Sequence, residues 1–132
     1  MPVGEDFLSG ATSWGVKSSP PIRSFGLAKA VPGKTFYITD EADLRTWAAD
    51  VNPDGSLSNF RLFAEQGGEG VATDAKGNVY VANGEIYVYS PAGKLIDTIE
   101  VPERPTQMVF GGADGRTMFI TARSSLYALK MK

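Results

Sequence analysis

The side chains able to do chemistry are few in kind. The 132-residue chain has no His and no Cys. That excludes a Ser-His-Asp triad, a thiolate nucleophile, an imidazole acid or base and the usual structural zinc site. Any reaction must therefore run on carboxylates, Lys, Tyr, hydroxyls or a hard cation held by oxygen ligands. One stretch has the look of such a cation site. Residues 50–61 read DVNPDGSLSNFR, and Asp50, Asn52, Asp54 and Gly55 match the first half of a helix-flanked calcium loop. The pattern needs a bidentate Glu at its twelfth place, where this sequence has Arg61, and Pro53 interrupts it. The better reading is a tight turn, with Pro53 presetting φ and Gly55 taking a left-handed conformation.

The elements around these residues repeat. GKTFYITD (33–40), GNVYVAN (77–83) and GRTMFITA (115–122) each run from a turn Gly into a β-branched and aromatic strand, and Gly33, Gly77 and Gly115 stand 44 and 38 residues apart. An apolar stretch precedes each, FGLA (25–28), EGVATD (69–74) and TQMVF (106–110). Another comes after each, LRTWAAD (44–50), EIYVYS (85–90) and SLYALK (125–130). PDGS (53–56) and PAGK (91–94) then lead to fourth strands at NFRLFA (59–64) and LIDTIEV (95–101). Four short strands per repeat of this length is the plan of a propeller blade. The fold class predicted is all-β, about three four-stranded antiparallel blades of a β-propeller, two complete and one partial, over residues 22–132. In this register DVNPDGSLSNFR is the outer hairpin of the first blade, and SPAGKLID is its counterpart.

Three blades cannot close a ring, since propellers have typically 4 to 8. Three solutions are open: further upstream blades, a second copy in a homodimer, or an N-terminal segment that covers one face. Residues 1–21 form a separate segment in this reading, with Trp14 and Val16 as anchors for a capping strand. A formal charge of −2 offers no basic field for nucleic acid, and no apolar run reaches the roughly 20 residues of a membrane helix. Glu5 and Asp6 sit where a signal peptide would be cationic and then apolar, so a soluble, cytoplasmic protein is expected. A periplasmic or secreted location stays open if sequence precedes Met1.

Three segments carry a family resemblance over about residues 22–130. FGLAKAVPGKTFYITD (25–40) resembles the Asn-Gly-Leu-Ala segment of the calcium-dependent gluconolactonases and the senescence marker protein (regucalcin) group. EGVATDAKGNVYVA (69–82) is similar to that family's Asp-Gly-Met-Ala segment, and VPERPTQMVFGGADGRTMFITA (101–122) resembles its Pro-Thr and Phe-Gly-Gly segment. The resemblance implies the C-terminal half of a six-bladed propeller that opens a sugar lactone or similar cyclic ester with a divalent cation, most often calcium. The cation is held there by an early Glu, the Asn of the first segment and the Asp of the second, the last Asp also serving as general base. This sequence has Phe25 at the Asn position, which cannot ligate, and Glu69 at the Asp position, which can. Glu69 is thus the expected base and metal ligand. Thr106, the third repeat's equivalent of Phe25 and Glu69, and Arg104, between two repeats, join Phe25 as expected substrate-binding residues. The substrate implied is a small lactone or sugar acid; the alternative is a non-catalytic propeller module that binds a partner or assembles from halves.

Overall fold

A computed structural model describes residues 24–131. They form eleven strands in three antiparallel sheets, with no helix among the described residues. The first sheet is β1 (Ser24–Leu27), β2 (Thr35–Asp40), β3 (Arg45–Val51) and β4 (Leu57–Ala64), in that order. β5 (Val71–Thr73), β6 (Val79–Asn83), β7 (Glu85–Tyr89) and β8 (Leu95–Ile99) make the second, and β9 (Pro105–Gly111), β10 (Thr117–Ala122) and β11 (Leu126–Lys130) the third. Every predicted strand is present, and the third sheet has three strands among the described residues. The predicted capping strand of residues 1–21 lies outside them.

Turn chemistry sets this repetition. Gly33, Gly77 and Gly115 adopt positive φ of 81°, 85° and 72° between the first and second strands of each sheet. In two of these turns an Asp braces the chain by accepting backbone N–H groups: Asp74 from Lys76 and Asn78, Asp114 from Arg116, each at 2.9 Å. The hairpin after β3 closes with Asn52 N–H on the Ser56 carbonyl at 2.8 Å and Gly55 N–H on the Asn52 carbonyl at 2.9 Å. The hairpin after β7 repeats it, Ser90 on Lys94 at 2.7 Å and Gly93 on Ser90 at 2.9 Å. DVNPDGSLSNFR is therefore a turn in the structure as well. Asp54 Oδ1 accepts from the Ser56 hydroxyl at 2.6 Å, and Asp50 pairs with Arg61 at 3.0 Å. Asn59 and Arg61 hold the Asp50 carboxyl below its ordinary range, and Ser56 does the same for Asp54.

Alternation along the strands fills the spaces between sheets. Tyr37, Ala48 and Ala64 of the first sheet meet Val71, Val79, Val81 and Tyr89 of the second. Phe63 sits edge-on between Tyr37 and Tyr89, with ring centroids 4.9 and 6.1 Å away. Ala72, Tyr80, Ile86 and Val88 on the other face of the second sheet pack on Met108, Met118 and Ile120 of the third. Each large apolar side chain so buried contributes about 1.5–3 kcal/mol. The innermost strands β1, β5 and β9 lie side by side, as blades around an axis require.

Candidate active site

The three positions singled out by the repeat fall at equivalent places, the starts of the innermost strands, and each is an irregularity in strand pairing. Between Ser24, opposite Asp40, and Leu27, opposite Ile38, the first strand carries Phe25 and Gly26 against Thr39 alone. Between Pro105, opposite Ala122, and Gln107, opposite Thr121, Thr106 is the extra residue. In the second sheet Glu69 donates its N–H to the Ala82 carbonyl at 3.3 Å while Gly70 accepts from Ala82 N–H at 2.9 Å, so both face one residue. These are β-bulges, which bend a strand end and re-aim its side chains.

Close approach between neighbouring innermost strands fixes the Glu69 backbone. Gly70 N–H donates to the Thr106 carbonyl at 2.7 Å. A Cβ on Gly70 would stand 2.6 Å from Gln107 Cα and 2.7 Å from the Thr106 carbonyl oxygen, so only glycine permits this spacing. On the other side, the fully buried Thr39 hydroxyl accepts from Gly26 N–H at 2.8 Å and donates to the Glu69 carbonyl. Glu69 is thus held by all three sheets through its own backbone and its neighbour's.

Its carboxylate is asymmetric. Oε1 lies 3.3 Å from Nε of Arg104, whereas Oε2 is shut off from solvent and has no hydrogen-bond partner. The Glu69 side chain is 21 % exposed and that of Arg104 48 %, which makes this a rim pair with one buried oxygen. Glu103, the residue before Arg104, ties their loop to the third sheet: its Oε1 accepts from the Ser124 hydroxyl at 2.6 Å and its Oε2 from the Tyr127 hydroxyl at 2.8 Å. Thr106 turns its hydroxyl to Thr121, 3.0 Å from that residue's Oγ1 and 3.2 Å from its carbonyl oxygen.

The structure therefore brings Glu69 and Arg104 into contact and sets Thr106 on the next strand start. Phe25 takes the equivalent backbone place in the first sheet. Sequence reasoning missed the pairing of Arg104 with Glu69 and the parts of Thr39 and Glu103. The hydroxyl side chain common to Thr39 and Thr121, at one repeat position, was the available signal. A calcium shell is not supplied by the described residues. Calcium takes 6 to 8 oxygens, no three acidic side chains converge among the described residues, and the Arg104 guanidinium beside Glu69 opposes a second cation.

Comparison with known proteins identifies the family. The SMP-30/Gluconolactonase/LRE-like region matches residues 24–124. The chain is 32 % identical to a 6-deoxy-6-sulfogluconolactonase of Pseudomonas putida, with 75 % of this chain and 38 % of the relative covered. Among solved structures, a gluconolactonase from Xanthomonas campestris superimposes with a TM-score of 0.70 at 25 % identity, covering 83 % of this chain and 38 % of that one. The calcium-binding protein regucalcin from Agrobacterium tumefaciens shares the fold, with a TM-score of 0.67 at 23 % identity, over 77 % of this chain and 38 % of its own. The chain thus spans 38 % of the length of each of these relatives. By its matched segments, its all-sheet architecture and its sequence identity, this chain belongs to the SMP-30/gluconolactonase/LRE-like family.

Proposed function

We propose that the chain carries part of a lactone-opening site in which Glu69 is the general base. The observation behind this reading is the unpartnered, buried Oε2 of Glu69, at the start of β5 inside the family-matched region. Oε2 carries no competing hydrogen bond, so a water delivered to it together with the substrate can lose its proton to this carboxylate as it attacks the lactone carbonyl. The new C–O bond forms, the ring C–O bond breaks, and the proton returns from Glu69 to the departing ring oxygen. The product is a carboxylic acid, which ionises and releases a proton to solvent. In this reading Arg104, half-exposed beside the base, binds the developing negative charge, and Phe25 and Thr106 flank the substrate from the neighbouring strand starts. The substrate class is a small sugar lactone, as the names of the gluconolactonase relatives suggest. A divalent cation, calcium by family resemblance, would find one carboxylate ligand here, Glu69, would need its other oxygens from outside the described residues, and would supply electrostatic polarisation when bound.

The test is proton release from a gluconolactone in a pH-stat, with and without millimolar calcium. The expected outcome is turnover above the spontaneous rate that falls at least about 100-fold in Glu69→Gln, the scale of a lost general base. Equal rates for the two proteins would remove Glu69 from the chemistry. A calcium-dependent rise in melting temperature that disappears in Glu69→Gln would place the cation on this carboxylate; an unchanged melting temperature would remove it.

A further inference from the structure

The outer face of the first sheet, turned away from the second, is buried although no described sheet lies over it. Tyr37 and Ala48, opposite each other on β2 and β3, face the second sheet. Alternation puts their neighbours Phe36, Ile38, Trp47 and Ala49 on the other face, with Val51 two residues further on. Phe36, Trp47, Ala49 and Val51 are nonetheless only 1 to 7 % exposed, and none belongs to the clusters that join the three sheets. Phe60 of β4 stacks on Trp47 with ring centroids 5.3 Å apart, which covers one face of the indole.

In the next two repeats the same face is covered by a whole preceding sheet. Val71 on β5, opposite Val81, is then 2 % exposed, and Met108 on β9, opposite Ile120, is 4 % exposed. Their equivalent Leu27 on β1, opposite Ile38, is 62 % exposed. The cover over the first sheet therefore lies across β2 and β3 and stops short of β1, which is the width of a chain segment rather than of a sheet. That cover also has to present an acceptor. Trp47 Nε1 is buried with no hydrogen-bond partner among the described residues, and a buried indole N–H is costly to leave unpaired. A main-chain carbonyl passing over the ring meets that need.

We propose that residues 1–23 of this chain lie across the outer face of the first sheet, in the place that a preceding sheet takes in the later repeats. They lead directly into Ser24 at the start of β1. A segment of this length can extend to about 75 Å, several times what crossing four strands at about 4.8 Å spacing requires. Val3, Phe7, Leu8, Trp14 and Val16 supply apolar side chains for Phe36, Trp47, Ala49 and Val51, and the segment's main chain supplies carbonyls for the indole N–H. The stack is then closed at its first sheet and open at its third, so a further sheet can add only on the face that carries Val109 and Leu126. The proposal uses no part of the lactone-opening reading.

Fluorescence tests this, because the chain has two tryptophans, Trp14 and Trp47. In a Trp14→Phe background Trp47 is the remaining emitter, and acrylamide should quench it poorly. Adding Phe7→Ser, Leu8→Ser and Val16→Ser should raise the quenching constant at least twofold, while Leu126→Ser, on the open face of the third sheet, should leave it unchanged. Circular dichroism checks that the sheets persist. A chain without cysteine also accepts a single one: Leu62→Cys, opposite Trp47 at a position 42 % exposed, carries a benzophenone maleimide to the edge of the covered face. Irradiation should attach the probe to residues 1–23 of the same chain, a result that does not depend on the serine variants folding. Ready quenching of Trp47 in the Trp14→Phe chain, unchanged quenching in the serine variant with its sheets intact, or no photoproduct within residues 1–23 would each overturn the proposal. A cross-link between two chains would make a second copy the cover and overturn it as well.

Discussion

The second and third sheets carry the same alternation and live in different surroundings. Ile86 on β7, paired with Ala82, is fully buried, whereas its repeat equivalent Leu126 on β11, paired with Thr121, is 69 % exposed. Ala72 is 8 % exposed and its equivalent Val109 60 %. The difference lies in the neighbour each sheet has. The third sheet covers the second, and no described residue covers the corresponding face of the third. Strand pattern alone therefore states which face is apolar; burial depends on whether a neighbour arrives.

That contrast is easiest to break at its most buried point. Ile86→Ala removes a side chain packed among Met118 and Ile120 and should lower stability by about 2–4 kcal/mol. Leu126→Ala, at the same repeat position, should change it by less than about 0.5 kcal/mol. Urea denaturation of the two variants gives both values. A Leu126 cost close to that of Ile86, growing with protein concentration, would show a second copy of the chain seated on the third sheet.

A local mark of the same difference is the residue after each candidate site position: Gly26 and Gly70 in the first two repeats, Gln107 in the third. Gly70 is crowded by the backbone of the next innermost strand, at 2.6 Å to Gln107 Cα from any added Cβ. Gly70→Ala should therefore cost about 1–3 kcal/mol by overpacking against a backbone that cannot yield. Gln107→Ala should cost well under about 0.5 kcal/mol, because Gln107 is exposed. Equal midpoints for Gly70→Ala and the unaltered chain would mean that the innermost strands can move apart, and that the fixed Glu69 backbone is looser than its hydrogen bonds suggest.

The sequence was informative where local chemistry decides. Turn glycines, the Asp and Pro around them and the two-residue alternation located all eleven strands to within a few residues, and put LRTWAAD in a strand rather than a helix. They also cleared DVNPDGSLSNFR as a calcium loop, since the structure engages its Asp and Asn side chains in the turn. Glu69 was visible through its segment. What stayed hidden was set by distance along the chain. The Arg104 to Glu69 contact joins residues 35 apart, and Thr39 reaches the Glu69 carbonyl across 30. Gln107 was readable as a letter, yet its meaning required the spacing between strands.

The smallest expected effect concerns the hairpins that end the two sheets near the site. β6 and β7 are joined by Gly84 alone, at φ 82°, and need no side-chain brace. β10 and β11 are joined through residues 123–125, and here Glu103 acts as the brace. Hydrogen bonds from Ser124, then Ser125 and Tyr127, bring its carboxyl down from 4.5 to about 2. A carboxylate lowered on folding adds stability that is complete above its unfolded value and disappears as pH falls through the folded one. Amide protection in the β10–β11 hairpin should thus weaken between about pH 4.5 and about pH 2, while that of β6–β7 tracks only global stability. Glu103→Gln should remove the pH step in this window from the β10–β11 hairpin. Protection that falls together in both hairpins, or a step that survives Glu103→Gln, would show that the brace is not Glu103 and that Arg104 is positioned by the strand start instead.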